Sequence, residues 1–328
     1  MKKSKRIILI VAAVCFFVGL VIIFSAYAAN GFRFIGTFGS DSGEIITEKI
    51  RESFSKIEFN CDSGDLVIYE SDDGGCTVSY PDSGRHKYTV EVVDGKLTVT
   101  DTDERNWFEK LFLYNGSSPV SVKLPKTEID RISVSSLSGD ITLSGGTFKE
   151  ADINVKSGDI EVNTAVNKSV RIESTSGDIR IGGSNNPVKL SCEKLTIGST
   201  SGDILIDGVA GDTDISVNSH SGDIYLDSSE CGNLDVSLTS GDIDIVDFRV
   251  KDTLSINVTS GDVCFRNSDA GDIDITLTSG DVTGTLLTEK IFSCNTASGD
   301  ISIPQTSGGG RCSIRTTSGD ISLKIKDK

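Results

Sequence analysis

The sequence predicts an all-β protein, a parallel β-solenoid of about 19–20 residues per rung behind one transmembrane helix. The first observation is the tripeptide Ser-Gly-Asp, which recurs at steps of 19, 19, 25, 20, 19, 20, 19, 19 and 20 residues. A fixed period of this size is typical of stacked repeats. Each repeat is one rung, identified by the serine of its tripeptide. These serines are Ser138, Ser157, Ser176, Ser201, Ser221, Ser240, Ser260, Ser279, Ser298 and Ser318.

The second observation is a set of apolar columns in register with the tripeptide. Positions four and six residues before the serine and five residues after it are mostly apolar, and Ser, Thr, Asn and charged residues lie between them. This period of two predicts two short, half-buried strands in each rung. The column three residues after the serine has no exception: Ile141, Ile160, Ile179, Ile204, Ile224, Ile243, Val263, Val282, Ile301 and Ile321.

The tripeptide is predicted to be the corner between these strands. Glycine supplies the positive φ of a tight bend, and Asp or Ser can bond nearby backbone N–H groups. Stacking at roughly 4.8 Å would pair each strand with the next rung. A weaker apolar position follows the second strand and predicts a short third side of a right-handed coil. It is occupied by Phe148, Val166, Val209, Phe248 and Leu287.

The N-terminal residues predict a membrane anchor. Residues 1–6 contain four basic residues and no acid, and the 23 residues from Ile7 to Ala29 carry no charge. As a helix they would span roughly 34 Å, enough to cross a bilayer. The basic side favours a cytoplasmic N-terminus and a solenoid outside the plasma membrane. A cleaved signal peptide ending at Ala28 is the alternative.

The rest of the chain is divided into three segments by how closely each follows the repeat. Residues 30–49 are predicted to form a stalk, residues 50–130 an irregular N-terminal part of the solenoid, and residues 131–328 its regular part. A first rung fits at Ser63, and residues 111–122 fit a rung without the tripeptide. Strands at 88–93 and 97–102 would form a hairpin around Asp94 and Gly95, either inserted into the solenoid or replacing a rung. Residues 182–187 would form a loop. Lysines 324, 326 and 328 would protect the terminal strand from end-to-end stacking.

Composition excludes several kinds of site. A net charge of −16 argues against nucleic acid as a partner. With two histidines and no C-x-x-C pair, zinc is not expected, and no cofactor is predicted. The eight cysteines offer two candidate disulfides, Cys294–Cys312 and Cys61–Cys76. The alternative is that inward-facing cysteines act as small apolar residues.

The aspartates of the tripeptide form the candidate ligand column. In register they would recur at roughly 4.8 Å, and neighbouring charges would repel by somewhat under about 1 kcal/mol in water. Calcium could compensate this repulsion. The favoured hypothesis is that each Asp caps its own turn by accepting backbone N–H bonds, so that no metal is needed. The column contains Asp140, Asp159, Asp178, Asp203, Asp223, Asp242, Asp262, Asp281, Asp300 and Asp320.

The stretch from Val120 to Ile141, VSVKLPKTEIDRISVSSLSGDI, followed by further SGDI repeats, resembles a bacterial family of putative adhesins of unknown function. The resemblance covers residues 50–325. It implies a β-solenoid held at the membrane and brings no catalytic residues.

Three functions are weighed. The first is a non-enzymatic, adhesin-like binding or structural module at the cell surface, whose ligand would be an unknown protein or glycan. The second is a component of envelope sensing with a membrane partner. The third, a polysaccharide-active enzyme, is least favoured. In the outward column four residues after the serine, Glu161 and Arg180 are the one pair of opposite charges on adjacent rungs.

Overall fold

The computed structural model describes residues 44–82, 86–103, 118–183 and 189–326. These ranges contain strands, turns and loops and no helix, so the prediction of an all-β protein is confirmed for them. No helix suited to crossing a membrane occurs in the described part of the chain. The anchor predicted at residues 7–29 and the stalk up to residue 43 lie outside it, as do residues 104–117.

The strands of the described ranges form two sheets, A and B. In chain order they are β1 (Glu44–Ile50), β2 (Lys56–Ser63), β3 (Leu66–Glu70), β4 (Cys76–Asp82), β5 (His86–Val93), β6 (Lys96–Asp103), β7 (Val120–Leu124), β8 (Glu128–Ser138), β9 (Ile141–Leu143), β10 (Thr147–Ser157), β11 (Ile160–Val162), β12 (Ala165–Ser176), β13 (Ile179–Ile181), β14 (Lys194–Ser201), β15 (Ile204–Asp207), β16 (Asp214–Ser221), β17 (Ile224–Asp227), β18 (Glu230–Cys231), β19 (Leu234–Ser240), β20 (Ile243–Val246), β21 (Arg249–Ser260), β22 (Val263–Ser279), β23 (Val282–Leu286), β24 (Lys290–Ser298), β25 (Ile301–Ser302), β26 (Gly310–Ser318) and β27 (Ile321–Ile325).

Each regular rung contributes a segment to each sheet, and β22 runs from sheet A of one rung into sheet B of the next. The sheet B strand ends at the serine of the tripeptide, and the sheet A strand begins three residues later. Neighbouring rungs pair in parallel and in the predicted register, as Ile153 with Ile172 in sheet B and Ile160 with Ile179 in sheet A. The result is a β-solenoid-like stack with a continuous core.

The core consists of the predicted columns. Inward side chains such as Ile172, Ile243 and Ile256 are at most 1% exposed. The weaker apolar position after the second strand is buried at Phe148, on β10 of sheet B, and at Phe248, whereas Leu287 is half-buried. Arg180, beside the buried Ile179, is exposed as predicted.

The N-terminal end departs from the repeat. Ser63 pairs with Ser138, so the Ser63 rung stacks directly on the Ser138 rung, and strands β6 and β7 pair with the opposite side of the Ser63 rung. On sheet A, β7 pairs with β3, β4 runs antiparallel to β7, and β1 runs antiparallel to β4. The second strand of the rung predicted at 111–122 is therefore β7, whereas residues 111–117 lie outside the described ranges.

The predicted hairpin is confirmed. Strands β5 and β6 are antiparallel around Asp94 and Gly95, which have φ of 50° and 72°. These angles match the type I′ turn that suits a two-residue hairpin. Strand β6 pairs in parallel with β2, so on sheet B the hairpin replaces a rung and covers the end of the stack.

The C-terminal end reverses the order of two rungs. Strand β26 lies between β22 and β24 in sheet B, and β27 lies between β23 and β25 in sheet A. Strand β27 is thus not the last level at Ile321 and Ser322, contrary to the prediction of a terminal strand, whereas Lys324 lies in the part of β27 that pairs with β23 only. The Ser298 rung forms the end.

Three consecutive glycines accompany this reversal. A Cβ atom on Gly309 would lie 1.7 Å from the carbonyl oxygen of Glu289, and one on Gly310 would lie 1.7 Å from that of Gly271. The chain can enter the space between two existing levels here because these residues lack side chains.

Candidate functional site

The aspartates of the tripeptide form a continuous hydrogen-bonded ladder. The backbone N–H of each Asp donates to Oδ1 of the Asp in the preceding level, at 2.7–2.9 Å. Each carboxylate therefore caps the turn of the neighbouring rung, and the prediction that it caps its own turn is wrong. In spatial order the ladder runs through Asp65, Asp140, Asp159, Asp178, Asp203, Asp223, Asp242, Asp262, Asp281, Asp320 and Asp300.

The backbone explains this direction. At the Ser240 rung, the Gly241 N–H donates to the Ser260 carbonyl at 3.1 Å and the Ile243 N–H donates to the Asp262 carbonyl at 2.8 Å. The N–H of Asp242, between them, donates to Oδ1 of Asp223 in the opposite direction. At the corner, each rung thus has one backbone N–H, that of its Asp, that donates to a side chain and not to a carbonyl. This N–H dipole also stabilises the negative charge of the carboxylate that accepts the bond.

The glycine of the corner is required by conformation and by space. Gly241 has φ of 136°, and a Cβ atom there would lie 2.2 Å from the carbonyl oxygen of Gly222. No side chain fits between corners stacked this closely.

Asp101 caps a different part of the first corner at the N-terminal end. Its Oδ1 accepts the N–H of Asp62 at 2.8 Å, and its Oδ2 lies 2.7 Å from Nε2 of His86. Strand β6 thus supplies a carboxylate to the residue before Ser63, whereas each ladder bond goes to the Asp of a tripeptide. Sequence reasoning missed this pair, because neither residue belongs to the repeat.

Apart from their regular spacing, the aspartates of the tripeptide are not arranged as metal ligands. One carboxylate oxygen of each capping Asp is already bonded to an amide, and no group of three or more His, Cys, Asp or Glu that could hold a metal ion occurs among the described residues. That the protein works without calcium stays a prediction.

A groove of about 640 Å³ lies on the outer face of sheet A, along the regular rungs. Its floor is the outward column four residues after the serine, whose members follow one another as Cα partners across six rungs. The floor residues are Thr142, Glu161, Arg180, Leu205, Tyr225 and Asp244. Asp140, Asp159, Asp178 and Asp203 form one wall, and Asp227, Val246 and Arg266 line the other side. We call it the sheet A groove.

An aromatic and an aliphatic side chain lie in the middle of the groove. Tyr225 is 38% exposed, and its neighbour Leu205 is half-buried. The Tyr225 hydroxyl donates to Oδ2 of Asp223 at 3.3 Å. The negative charge of Asp223 raises the pKa of Tyr225, so the hydroxyl stays protonated at neutral pH.

Charged groups lie on both sides of this centre. Asp244 is half-buried, not exposed as predicted, because it pairs with the Arg266 guanidinium at 2.8 Å. Glu161 and Arg180 are Cα partners on β11 and β13, as predicted. The groove thus offers an aromatic face, carboxylate acceptors and guanidinium donors, which suits a neutral or cationic polar ligand. Its acidic wall disfavours an anionic one.

Sheet B carries a charged patch near the N-terminal end. Glu150 accepts a hydrogen bond from Nζ of Lys168 at 2.7 Å and from Nε of Arg131 at 3.0 Å, and Lys149 pairs with Asp130 at 2.6 Å. The Lys168 ammonium is the main cause of the lowered pKa of Glu150. Sequence reasoning missed this patch, although the spacing of Arg131 and Glu150 by one rung was a signal for it. Exposed pairs of this kind contribute little stability.

The cysteines in the described ranges are free thiols, so neither candidate disulfide is formed. Cys312 lies diagonally across from Cys294 on the next strand. Burial raises the pKa of the Cys312 thiol to about 12 and that of Cys76 to about 11. These residues behave as small apolar side chains.

Comparisons with known proteins find solved structures of low similarity to this chain. No curated protein matches the chain. A putative adhesin from Bacteroides fragilis NCTC 9343 is 16% identical, with 87% of this chain and 99% of that one covered and a TM-score of 0.44. A putative adhesin from Parabacteroides distasonis ATCC 8503 is 16% identical, with 87% and 98% covered and a TM-score of 0.43. A putative lipid binding protein from the same strain is 18% identical, with 86% and 98% covered and a TM-score of 0.40. Similarity at this level carries no argument about function.

The family model described as Toastrack DUF4097 matches residues 54–213, 183–270 and 212–328, which together include the tripeptide repeats. The resemblance predicted from the sequence is confirmed, and the chain belongs to the Toastrack DUF4097 family.

Proposed function

We propose that this protein is a non-enzymatic binding module, anchored in the plasma membrane by residues 7–29 and facing outward. Its ligand is an extended glycan of the cell envelope that lies along the sheet A groove. The observation that carries the proposal is the groove itself, with Tyr225 and Leu205 at its centre and carboxylates along its wall.

The chemistry of the groove favours a glycan over a protein partner. Protein interfaces concentrate apolar and aromatic side chains at a buried centre, whereas Tyr225 is the one large hydrophobic side chain of the groove that is exposed. Sugar rings can pack on a tyrosine face, and their hydroxyls can donate to Asp203, Asp227 and Glu161. Stacked rungs repeat these acceptors at roughly 4.8 Å, which suits an extended chain.

The arrangement supports binding more than catalysis. Glycoside hydrolysis needs two facing carboxylates with one of raised pKa. In the groove four aspartates form a row along one wall, and on the floor Glu161 is the Cα partner of Arg180 while Asp244 pairs with Arg266. Asp227, on the other side, accepts a hydrogen bond from the Ser228 hydroxyl.

Binding is tested with the full-length chain against a panel of soluble envelope glycans. We expect at least one glycan to bind, and Tyr225→Ala to weaken its affinity about tenfold or more, since interface tyrosines often contribute over 1 kcal/mol. Tyr69→Ala is the matched control, because Tyr69 also lies on sheet A but outside the groove, near Lys123.

Failure of every glycan to bind would contradict the choice of ligand, and so would equal effects of the two tyrosine variants. Release of shortened product from any glycan would contradict the non-enzymatic part. For the anchor, protease added to intact cells should remove the solenoid and spare a small membrane stub; a protected solenoid beside a cleaved outward control would reverse the orientation.

A further inference from the structure

The two ends of the stack are built differently. At the N-terminal end the outermost strands are β1 and β5, both antiparallel to their neighbours. They carry five charged side chains, and charges on an edge strand discourage pairing with another chain. The charged residues are Glu44, Glu48, Lys49, Lys87 and Glu91.

At the C-terminal end the edge strand of sheet B, β24, lacks such protection, whereas on sheet A Lys324 lies in the part of β27 that β25 does not cover. In the described part of the chain β24 pairs only with β26, and β25 pairs only with β27. No charged residue occurs from Ile291 to Ser298. Lys290, the first residue of β24, is buried and pairs with Asp269 at 2.7 Å.

The core is open at this end. Ile301, at an inward position, is 43% exposed. Ile291, at an outward position of the edge strand like its Cα partner Arg311, is 54% exposed. Phe292, Cys294 and Ile303 are only partly buried. The equivalent inward residues one level below are buried, as Ile321 at 0%.

The corner at this end also has free bonding positions. In the level below, the Gly319 and Ile321 N–H groups donate to the Ser298 and Asp300 carbonyls at 2.9 Å each. Among the described residues, the equivalent N–H groups of Gly299 and Ile301 have no acceptor. The end therefore presents the edges and the core of a rung with no following rung.

We propose that a second copy of this chain covers the end, with its β24 antiparallel to the first in a closed two-fold dimer. The two β24 strands have the same length. Because residues Ile291 to Ser298 carry no charge, the two copies of this segment can pair without electrostatic repulsion. Antiparallel pairing also separates the two Asp300 corners by roughly the length of β24, about 30 Å. That distance exceeds the screening length of about 8 Å at physiological ionic strength.

A head-to-tail fibre is disfavoured. It would join this end to the charged strands β1 and β5, whereas a two-fold contact joins the two unprotected β24 edges and stops at two copies. The molecule would then present two sheet A grooves, one from each copy.

The test measures the protein mass of the full-length chain in detergent by light scattering. We expect a dimer for the wild type and a monomer for the double variant Ile291→Lys with Ile301→Lys. The matched control is Ile45→Lys with Val93→Lys, which changes two equally exposed aliphatic residues at the opposite end. The control should remain dimeric, and unchanged melting temperatures would show that both variants fold.

Hydrogen exchange distinguishes this dimer from one formed elsewhere. The backbone amides of residues 291–298 should become more protected as wild-type concentration rises, and not in the Ile291→Lys, Ile301→Lys variant. A dimer formed through the anchor would survive that variant and overturn the proposal. A wild type that stays monomeric up to about 0.1 mM, where a micromolar Kd gives nearly complete association, would overturn it too.

Discussion

Each aspartate of the tripeptide faces two opposing effects. Its neighbours one level away repel it, and its Oδ1 atom accepts the amide of the next rung. Asp242, for example, accepts the Asp262 N–H at 2.8 Å. The sequence was enough to identify the column and to favour capping over calcium. It could not reveal which amide is capped, because the same tripeptide would be used for capping its own turn or that of the next rung.

Asp242→Ala should lower the free energy of unfolding by about 1 kcal/mol, since it removes the acceptor of one turn. Asp242→Asn keeps an acceptor and removes the charge, so it should cost less. Urea unfolding of both variants measures the difference. If repulsion between carboxylates were the larger effect, both substitutions would stabilise the protein.

The same protein tests the calcium hypothesis. We expect chelator to leave the melting temperature nearly unchanged, because each capping carboxylate is already bonded to an amide. A large rise in melting temperature with calcium would instead make the aspartate column a metal site.

Two constraints require glycine at the corner: a positive φ and the lack of space for a Cβ atom. Substitutions at two different glycines can separate them. Gly208 has a positive φ of 77°, and no atom lies within 4 Å of the position that a Cβ atom would take there. Gly241 has a positive φ as well, but the Gly222 carbonyl oxygen would lie 2.2 Å from its Cβ atom. Gly208→Ala should therefore cost about 1–2 kcal/mol from backbone conformation alone. Gly241→Ala should cost more than about 4 kcal/mol. Similar losses in urea unfolding would show that the corners are not tightly stacked.

The strands of the regular rungs follow directly from the period of two. Inward and outward residues alternate along most of each strand, because a slip of one residue would expose a whole column. The exceptions include bulges after Phe148 and Val250. The ends were harder to predict. Strands β1, β4 and β5 have no tripeptide and pair antiparallel, and nothing in their local pattern states which rung they cover.

The groove was predicted only in part. Its floor residues were identified as an outward column, and Glu161 and Arg180 as its notable pair. The concavity and the pairing of Asp244 with Arg266 depend on how side chains of successive levels lean together, which an alternating pattern does not specify.

The register of a strand can be tested at two adjacent positions of β20. Ile243 is fully buried, so Ile243→Ala should lower the free energy of unfolding by about 2–5 kcal/mol. Asp244 is half-buried and pairs with Arg266, so Asp244→Ala should cost at most about 1 kcal/mol. Chemical unfolding of the two variants measures both values. Equal losses would contradict the register of sheet A.

At the scale of the whole molecule, the order in which the rungs stack could not be predicted from the sequence. Every rung has the same columns, so the Ser318 rung fits equally well on the Ser279 rung or on the Ser298 rung. The glycines at 308–310 were the local signal, since three consecutive residues without side chains permit a close passage between backbones. The repeat specifies how each rung is shaped. The order in which rungs stack depends on residues that break the repeat, such as the glycines at 308–310.

Removal of residues 303–328 tests this threading. In a stack that follows chain order, the deletion would take away only the last level and leave the Ser298 rung on the Ser279 rung. Here β26 and β27 are the partners that the described structure gives to β24 and β25, so the deletion removes an internal level. We therefore expect the backbone amides of residues 290–302 to exchange as in an unfolded chain, while β16 and β19 stay protected. A chain shortened only by residues 327–328 is the control for handling and should show full protection. If residues 290–302 remained protected after the larger deletion, the Ser298 rung would be able to stack directly on the Ser279 rung, and the reversed order would not be what holds the end together.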